Sequence, residues 1–172
     1  MRLGARGVRG LLLPSGFLAH VTDPEYMDLA LHHAEEAFAR GDWPVAAVIV
    51  RDGAVLATGQ NRQNTESDVT WHAEFEAIRT ATRTHGAERV AGATVYTTME
   101  PCPMCAGAMK LAGIRRLVLG ARHAALRRTD VGDYSIERFC RLAGFDIALV
   151  TGVRDAECME LRRRWGKDQV RT

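Results

Sequence analysis

Two short motifs constrain this chain more than any other part of it. Cys102 and Cys105 are separated by Pro103 and Met104, and His72 with Glu74 stands 30 positions upstream of the first cysteine. Cysteines at i and i+3 share one face of a first helical turn. The positive end of a helix dipole there favours thiolate over thiol. Two cysteines that close do not read as a structural disulfide, so the spacing signals a metal site or a thiol redox pair. A redox pair gives no reason for a His-x-Glu at a second helix start. Two thiolates and one imidazole make three ligands for a zinc ion, whereas a structural zinc normally takes four from protein; three leave a position for water. Glu74, two positions from His72, then stands where a carboxylate can move protons to and from that water. A zinc-stabilised binding module would keep the ligands but has no use for Glu74. Cys140 and Cys158 read as small buried hydrophobes.

The elements around these motifs alternate. Thr22-Asp23-Pro24-Glu25 has capping-box spacing with proline in the first turn, and Met27, Ala30, Leu31, Ala34 and Phe38 recur on one helical face until Gly41. Val45–Val50 and Ala54–Gly59 read as two strands joined at Asp52-Gly53, a hairpin turn. Residues 60–71 read as a loop, and Ala73–Thr84 as a helix. Thr94–Thr98 is a strand, 103–112 a helix, Leu117–Ala121 a strand, 135–142 a helix capped by Ser135, Asp146–Val150 a strand and Asp155–Trp165 a final helix. Strands separated by helices pair in parallel, while the first hairpin is antiparallel. The expected fold is α/β, a three-layer α-β-α sandwich around a mixed five-stranded sheet.

The 172 residues fit a single domain over 23–172. Residues 1–22 read as a flexible extension: Leu11-Leu12-Leu13 ends at Pro14, short of the roughly 7–15 apolar residues of a signal-peptide core. No stretch approaches the roughly 20 apolar residues of a membrane span, so no membrane partner and a cytoplasmic location are expected. Lys plus Arg is 23 against 21 for Asp plus Glu, a net charge of +2, which does not imply a strongly basic nucleic-acid binder.

His72-Ala73-Glu74 with Pro101-Cys102-Pro103-Met104-Cys105 resembles the signature of the zinc-dependent cytidine deaminase-like superfamily. The resemblance covers about residues 24–165. Trp43-Pro44-Val45-Ala46-Ala47-Val48 is similar to the family's first strand, Gly59-Gln60-Asn61-Arg62 to its Gly-x-Asn segment, and Tyr96-Thr97-Thr98-Met99-Glu100 to the strand leading into the cysteines. The similarity is closest to the branch of guanine deaminases, fungal-type cytosine deaminases and tRNA adenosine deaminases. It implies one zinc per chain on His72, Cys102 and Cys105, and Glu74 as the proton shuttle of hydrolytic deamination. It also implies that Asn61 hydrogen-bonds the base, that backbone groups near Ala46 and Ala73 read it, and that the pair forms a homodimer. Trp71 is a candidate pocket wall beside Trp43, Phe75 and Tyr134, and His123, after a strand end, a candidate at the pocket border.

Two substrates compete. Asp68-Val69-Thr70-Trp71-His72-Ala73-Glu74 and Gly120-Ala121-Arg122 resemble segments of the tRNA enzymes, but residues 124–132 replace their Lys-x-Gly-Ala loop. Acidic residues also lie among the arginines of the C-terminal half. The sequence therefore favours a small amino-heterocycle, a base or nucleoside, with an anticodon adenosine of tRNA as the alternative.

Overall fold

A computed structural model describes residues 21–128 and 130–169, so residues 1–20 of the expected extension lie outside the described residues. The chain runs α1 (Asp23–Arg40), β1 (Ala46–Arg51), β2 (Ala54–Gln60), α2 (Ala73–His85), α3 (Ala87–Val90), β3 (Thr94–Met99), α4 (Pro103–Leu111), β4 (Arg116–Ala121), α5 (Ile136–Ala143), β5 (Ala148–Val150) and α6 (Asp155–Gln169). Glu25 ties down the start of α1 by accepting hydrogen bonds from the Thr22 amide at 2.7 Å and hydroxyl at 2.8 Å. The single turn α3 was not foreseen; four residues are too few to show a helical period. The last strand is shorter than expected, because Phe145 packs into the core rather than leading a strand.

The five strands lie in the order β2-β1-β3-β4-β5. β1 is antiparallel to both β2 and β3, and β3, β4 and β5 are parallel. The two-residue period of a strand sorts the side chains between two cores. Ala47, Ile49, Val95, Leu117 and Leu119 face a layer that contains Ala77 and Ile78 of α2, Met109 of α4 and Ile136 of α5. Val48, Val50, Tyr96 and Val118 face the opposite layer, with Met27 and Ala30 of α1 and Cys158 and Met159 of α6. This is the expected three-layer sandwich.

Two glycines set how closely helices approach the sheet. A Cβ on Gly59 in β2 would fall 2.1 Å from the Ala73 carbonyl oxygen and 2.6 Å from the Ala77 nitrogen, so only glycine lets α2 start this close to the strand. A Cβ on Gly120 in β4 would lie 2.3 Å from Sγ of Cys158 in α6. Cys158 is buried as expected; Cys140 is only half-buried. Both parallel strands β3 and β4 end on the same side, where ligands of open α/β sheets bind.

Candidate metal centre and catalytic pocket

His72 and Cys102 occupy equivalent positions, each the extended residue that caps a helix: His72 before α2 and Cys102 before α4. Pro103 starts α4 with the fixed φ that a first helical turn requires, and Cys105 follows one turn behind Cys102. The sheet brings the two caps together. Sγ of Cys102 lies 3.4 Å, and Sγ of Cys105 3.6 Å, from Nδ1 of His72. A tetrahedral zinc with bonds of about 2.3 Å to sulfur and 2.0–2.1 Å to nitrogen holds those atoms about 3.5 Å apart. The donor set and spacing therefore fit one zinc ion, and the three ligand atoms all lie within 4.8 Å of one another. A hydrogen bond from Cys105, then burial opposed by His72, sets the Cys102 thiol down to about 4, so it is a thiolate at neutral pH.

Glu74, in the first turn of α2, is buried beside this cluster and accepts a hydrogen bond from the Thr97 hydroxyl at 3.2 Å. Burial, then the neighbouring Cys102 thiolate, raises its carboxyl above the usual range, which suits a group that must both take and give a proton.

The cluster opens into a cavity of about 190 Å³, whose walls include His72, Glu74 and Cys102 together with Trp43, Val45, Asn61 and Met99. That is smaller than the roughly 300–1,000 Å³ of sites for drug-sized ligands and suits a single base. Asn61 is buried, its amide held by Gln63: Nδ2 donates to Oε1 of Gln63 at 3.0 Å, and Oδ1 accepts from the Gln63 amide at 3.1 Å. Val45, rather than Ala46, reaches the cavity, because the Ala46 amide donates to the Thr98 hydroxyl at 3.1 Å inside the protein. Ala73 is fully buried at the start of α2, its carbonyl turned to Gly59.

Trp71 is a correction: it lines a separate surface depression with Asp68, Thr70 and Phe75, drawn there by Arg79, whose guanidinium lies 5.3 Å from the indole. Phe75 goes with it. Of the four aromatic candidates, Trp43 lines the cavity, and Tyr134 supports it by donating to the Pro101 carbonyl at 2.6 Å and packing on His123.

Several site residues were not singled out by the sequence. Glu100 is buried in the wall and accepts from Arg122 at 3.1 Å, from the His123 amide at 2.9 Å and from the Ile136 amide at 2.9 Å, so one carboxylate fixes the loop after β4 and the start of α5. Arg122, also bound to Glu137 at 2.8 Å, is consumed by this network rather than facing outward. His123 does border the pocket; burial lowers its pKa and keeps the ring neutral, and both ring nitrogens lack a partner among the described residues. Arg128 and Arg162 complete the wall. No local pattern marks such residues: Glu100 and Arg162 read as ordinary surface charges until the fold turns them inward.

Three donors spaced for one metal open towards a small cavity, with a buried carboxylate alongside, as in the centres of metal-assisted hydrolysis. A family model for the cytidine and deoxycytidylate deaminase zinc-binding region matches residues 21–121, and the chain belongs to that family. It is 48% identical over 97 residues to a tRNA-specific adenosine deaminase of Agrobacterium fabrum, a match covering 56% of this chain and 64% of the relative. It is 46% identical over 107 residues to a guanine deaminase of Bacillus subtilis, covering 62% and 60%. The chain thus spans somewhat under two thirds of these relatives' lengths. A solved structure from a study of A-to-I editing by tRNA:A34 deaminases superposes with a TM-score of 0.69 at 37% identity, covering 79% of this chain and 97% of that one.

When bound, zinc acts as a Lewis acid that brings the pKa of water towards neutrality.

Proposed function

We propose that the protein is a deaminase of adenosine in tRNA, converting it to inosine with release of ammonia. The observation that carries this reading is the extent of the match to the solved tRNA:A34 deaminase, 97% of that chain at 37% identity, with the metal cluster and Glu74 placed for the chemistry. In the reaction the base enters the cavity flipped out of its strand. Asn61 and the walls around Trp43 and Val45 orient it. Glu74 takes a proton from the attacking water and delivers protons to the ring nitrogen and the departing amine, so water and the amino compound become the oxo compound and ammonia. The cytoplasm, where tRNA is charged and used, is the setting this reading implies, and we expect the enzyme to act as a homodimer.

A specific observation favours a second reading, deamination of a free base or nucleoside. Helix α6 closes over the cavity, with Arg162 lying 4.6 Å from the Trp43 ring, and narrows it to the scale of a small ligand. The replaced loop at 124–132 and the guanine deaminase among the relatives agree with it.

One experiment separates the two. The zinc-loaded protein is incubated with a tRNA bearing adenosine at the first anticodon position, and inosine is measured after digestion; ammonia is measured from a panel of free bases and nucleosides. Glu74→Gln protein is the blank. Inosine in the tRNA supports the first reading. Ammonia from a free base or nucleoside with no inosine in tRNA replaces it with the second.

A further inference from the structure

Residues 162–164 are three successive arginines on α6, and the fold treats them differently. Arg163 lies 3.9 Å from Glu160, and Arg164 lies 2.8 Å from Glu35; both are surface pairs. Arg162 turns inward instead, across the face of Trp43, and joins the wall of the cavity that holds His72, Glu74 and Cys102. Its Nε and Nη1 are sealed from solvent and have no hydrogen-bond partner among the described residues.

The neighbouring carboxylates are already engaged. Glu100 is held by Arg122 and two backbone amides, and Asp130 by Nε of Arg128 at 2.8 Å. Desolvation, then the charge of Arg128, lowers the Arg162 pKa to about 10, so it stays cationic at neutral pH. Two sealed guanidinium nitrogens with no acceptor among the described residues are costly to keep, whereas Arg128 on the same wall already has its counter-ion in Asp130. An anion at Arg162 removes that penalty. Stacking on the indole fixes the guanidinium plane and leaves its edge for acceptors lying in that plane. A neutral ring carbonyl offers one such oxygen and no charge. A phosphate offers two oxygens and the charge.

We propose that Arg162 forms an anion-binding end of the catalytic cavity that takes a phosphate of the substrate nucleotide. This deepens the deaminase reading and rests on it for the identity of the substrate. The phosphate has two sources, a free nucleoside monophosphate or a phosphodiester of an RNA strand.

The test is calorimetric and needs no turnover. Inorganic phosphate is titrated into the zinc-loaded wild type and into Arg162→Met and Arg163→Met, with zinc content measured in each. Saturable binding that weakens about ten- to hundredfold in Arg162→Met and stays at wild-type strength in Arg163→Met is the expected result. No saturable binding to wild type, or equal binding by Arg162→Met, overturns the proposal. Where Arg162→Met does not fold, Arg162→Lys, which keeps the charge without the two-pronged edge, replaces it; a severalfold loss is expected and wild-type binding overturns. Competition by a nucleoside 5′-monophosphate or by an anticodon stem-loop RNA then identifies the source, and displacement by neither overturns the proposal. Failure of the deaminase reading is distinguishable: phosphate binding that depends on Arg162, with no ammonia or inosine from any substrate, removes the activity and leaves the site.

Discussion

Glu74 is buried and accepts a hydrogen bond from the Thr97 hydroxyl at 3.2 Å, inside a wall where a carboxylate would otherwise be a liability. In the proposed reaction this group transfers protons, and removing it should leave the fold's packing largely in place. Glu74→Ala is expected to bind zinc at wild-type stoichiometry while kcat falls about 10²–10⁴-fold, the range for a general acid–base group. Activity within a few-fold of wild type would end the shuttle assignment. The ligands respond in the opposite manner. Cys102→Ser/Cys105→Ser is expected to purify with less than a tenth of the wild-type zinc and to lose soluble yield, because the ion's binding energy is also folding energy; full occupancy by metal analysis would refute the centre. These residues were legible because their chemistry depends on residue type at fixed spacing. Asn61 was reachable only through resemblance. His123 was a candidate by its place after a strand end and does line the cavity, whereas Arg162 depends on which way a helix turns, and no spacing encodes that. Trp71 was misplaced for the same reason: an aromatic beside a ligand in sequence need not line the same cavity, and here it faces a separate depression with Arg79 of the second turn of α2 over its ring.

At the scale of elements, every strand and all but one helix were readable from period, caps and turn residues, while the way they lock together was not. The start of α1 is fastened to the sheet by Asp23, which accepts from Arg116 at 2.9 and 2.5 Å and from the Tyr96 hydroxyl at 2.8 Å. These three residues are 73 and 93 positions apart in sequence, so only the strand order reveals them. The Arg116 hydrogen bond holds the Asp23 carboxyl below the usual carboxylate range; partial burial opposes it and Tyr96 adds to it. A carboxyl depressed in the folded state contributes stability above its ordinary pKa of about 3.9 and loses it as pH falls through the lower, folded value. Asp23→Asn is therefore expected to cost about 1 kcal/mol at pH 7, roughly 2–4 °C in Tm for a chain of this size. The cost should shrink as pH falls below the ordinary carboxylate value and through the lower, folded one, where the wild-type carboxyl is itself protonated. Thermal unfolding of both proteins at pH 7 and pH 3 checks this; an equal difference at both values would show that the aspartate acts by shape and not by charge.

At the scale of the whole molecule, the metal centre occupies one end of α4 and an apolar surface the other. Beyond the cysteines, α4 runs to Leu111, which is 91% exposed, and with Ile78, Val90 and Ala108 it lines a groove between α2, α3 and α4. Leu142 of α5, on the same layer, is 81% exposed, but Leu111 is the one that borders an apolar groove, which makes this the surface to test for a second copy of the chain. The face belongs to the same helix that carries two zinc ligands, so a second copy docked there would brace the N-terminal turn of α4 through the body of the helix. The wild type is expected to run as a dimer by light scattering at micromolar concentration, twice the chain mass. Leu111→Glu, which puts a charge on that surface and touches no site residue, is expected to shift it to monomer with its zinc retained. A monomeric wild type at that concentration would show that the groove serves something other than a second copy of the chain. A dimer unmoved by Leu111→Glu would place the interface on another face, with the edge strand β2 as the next to test by substitution.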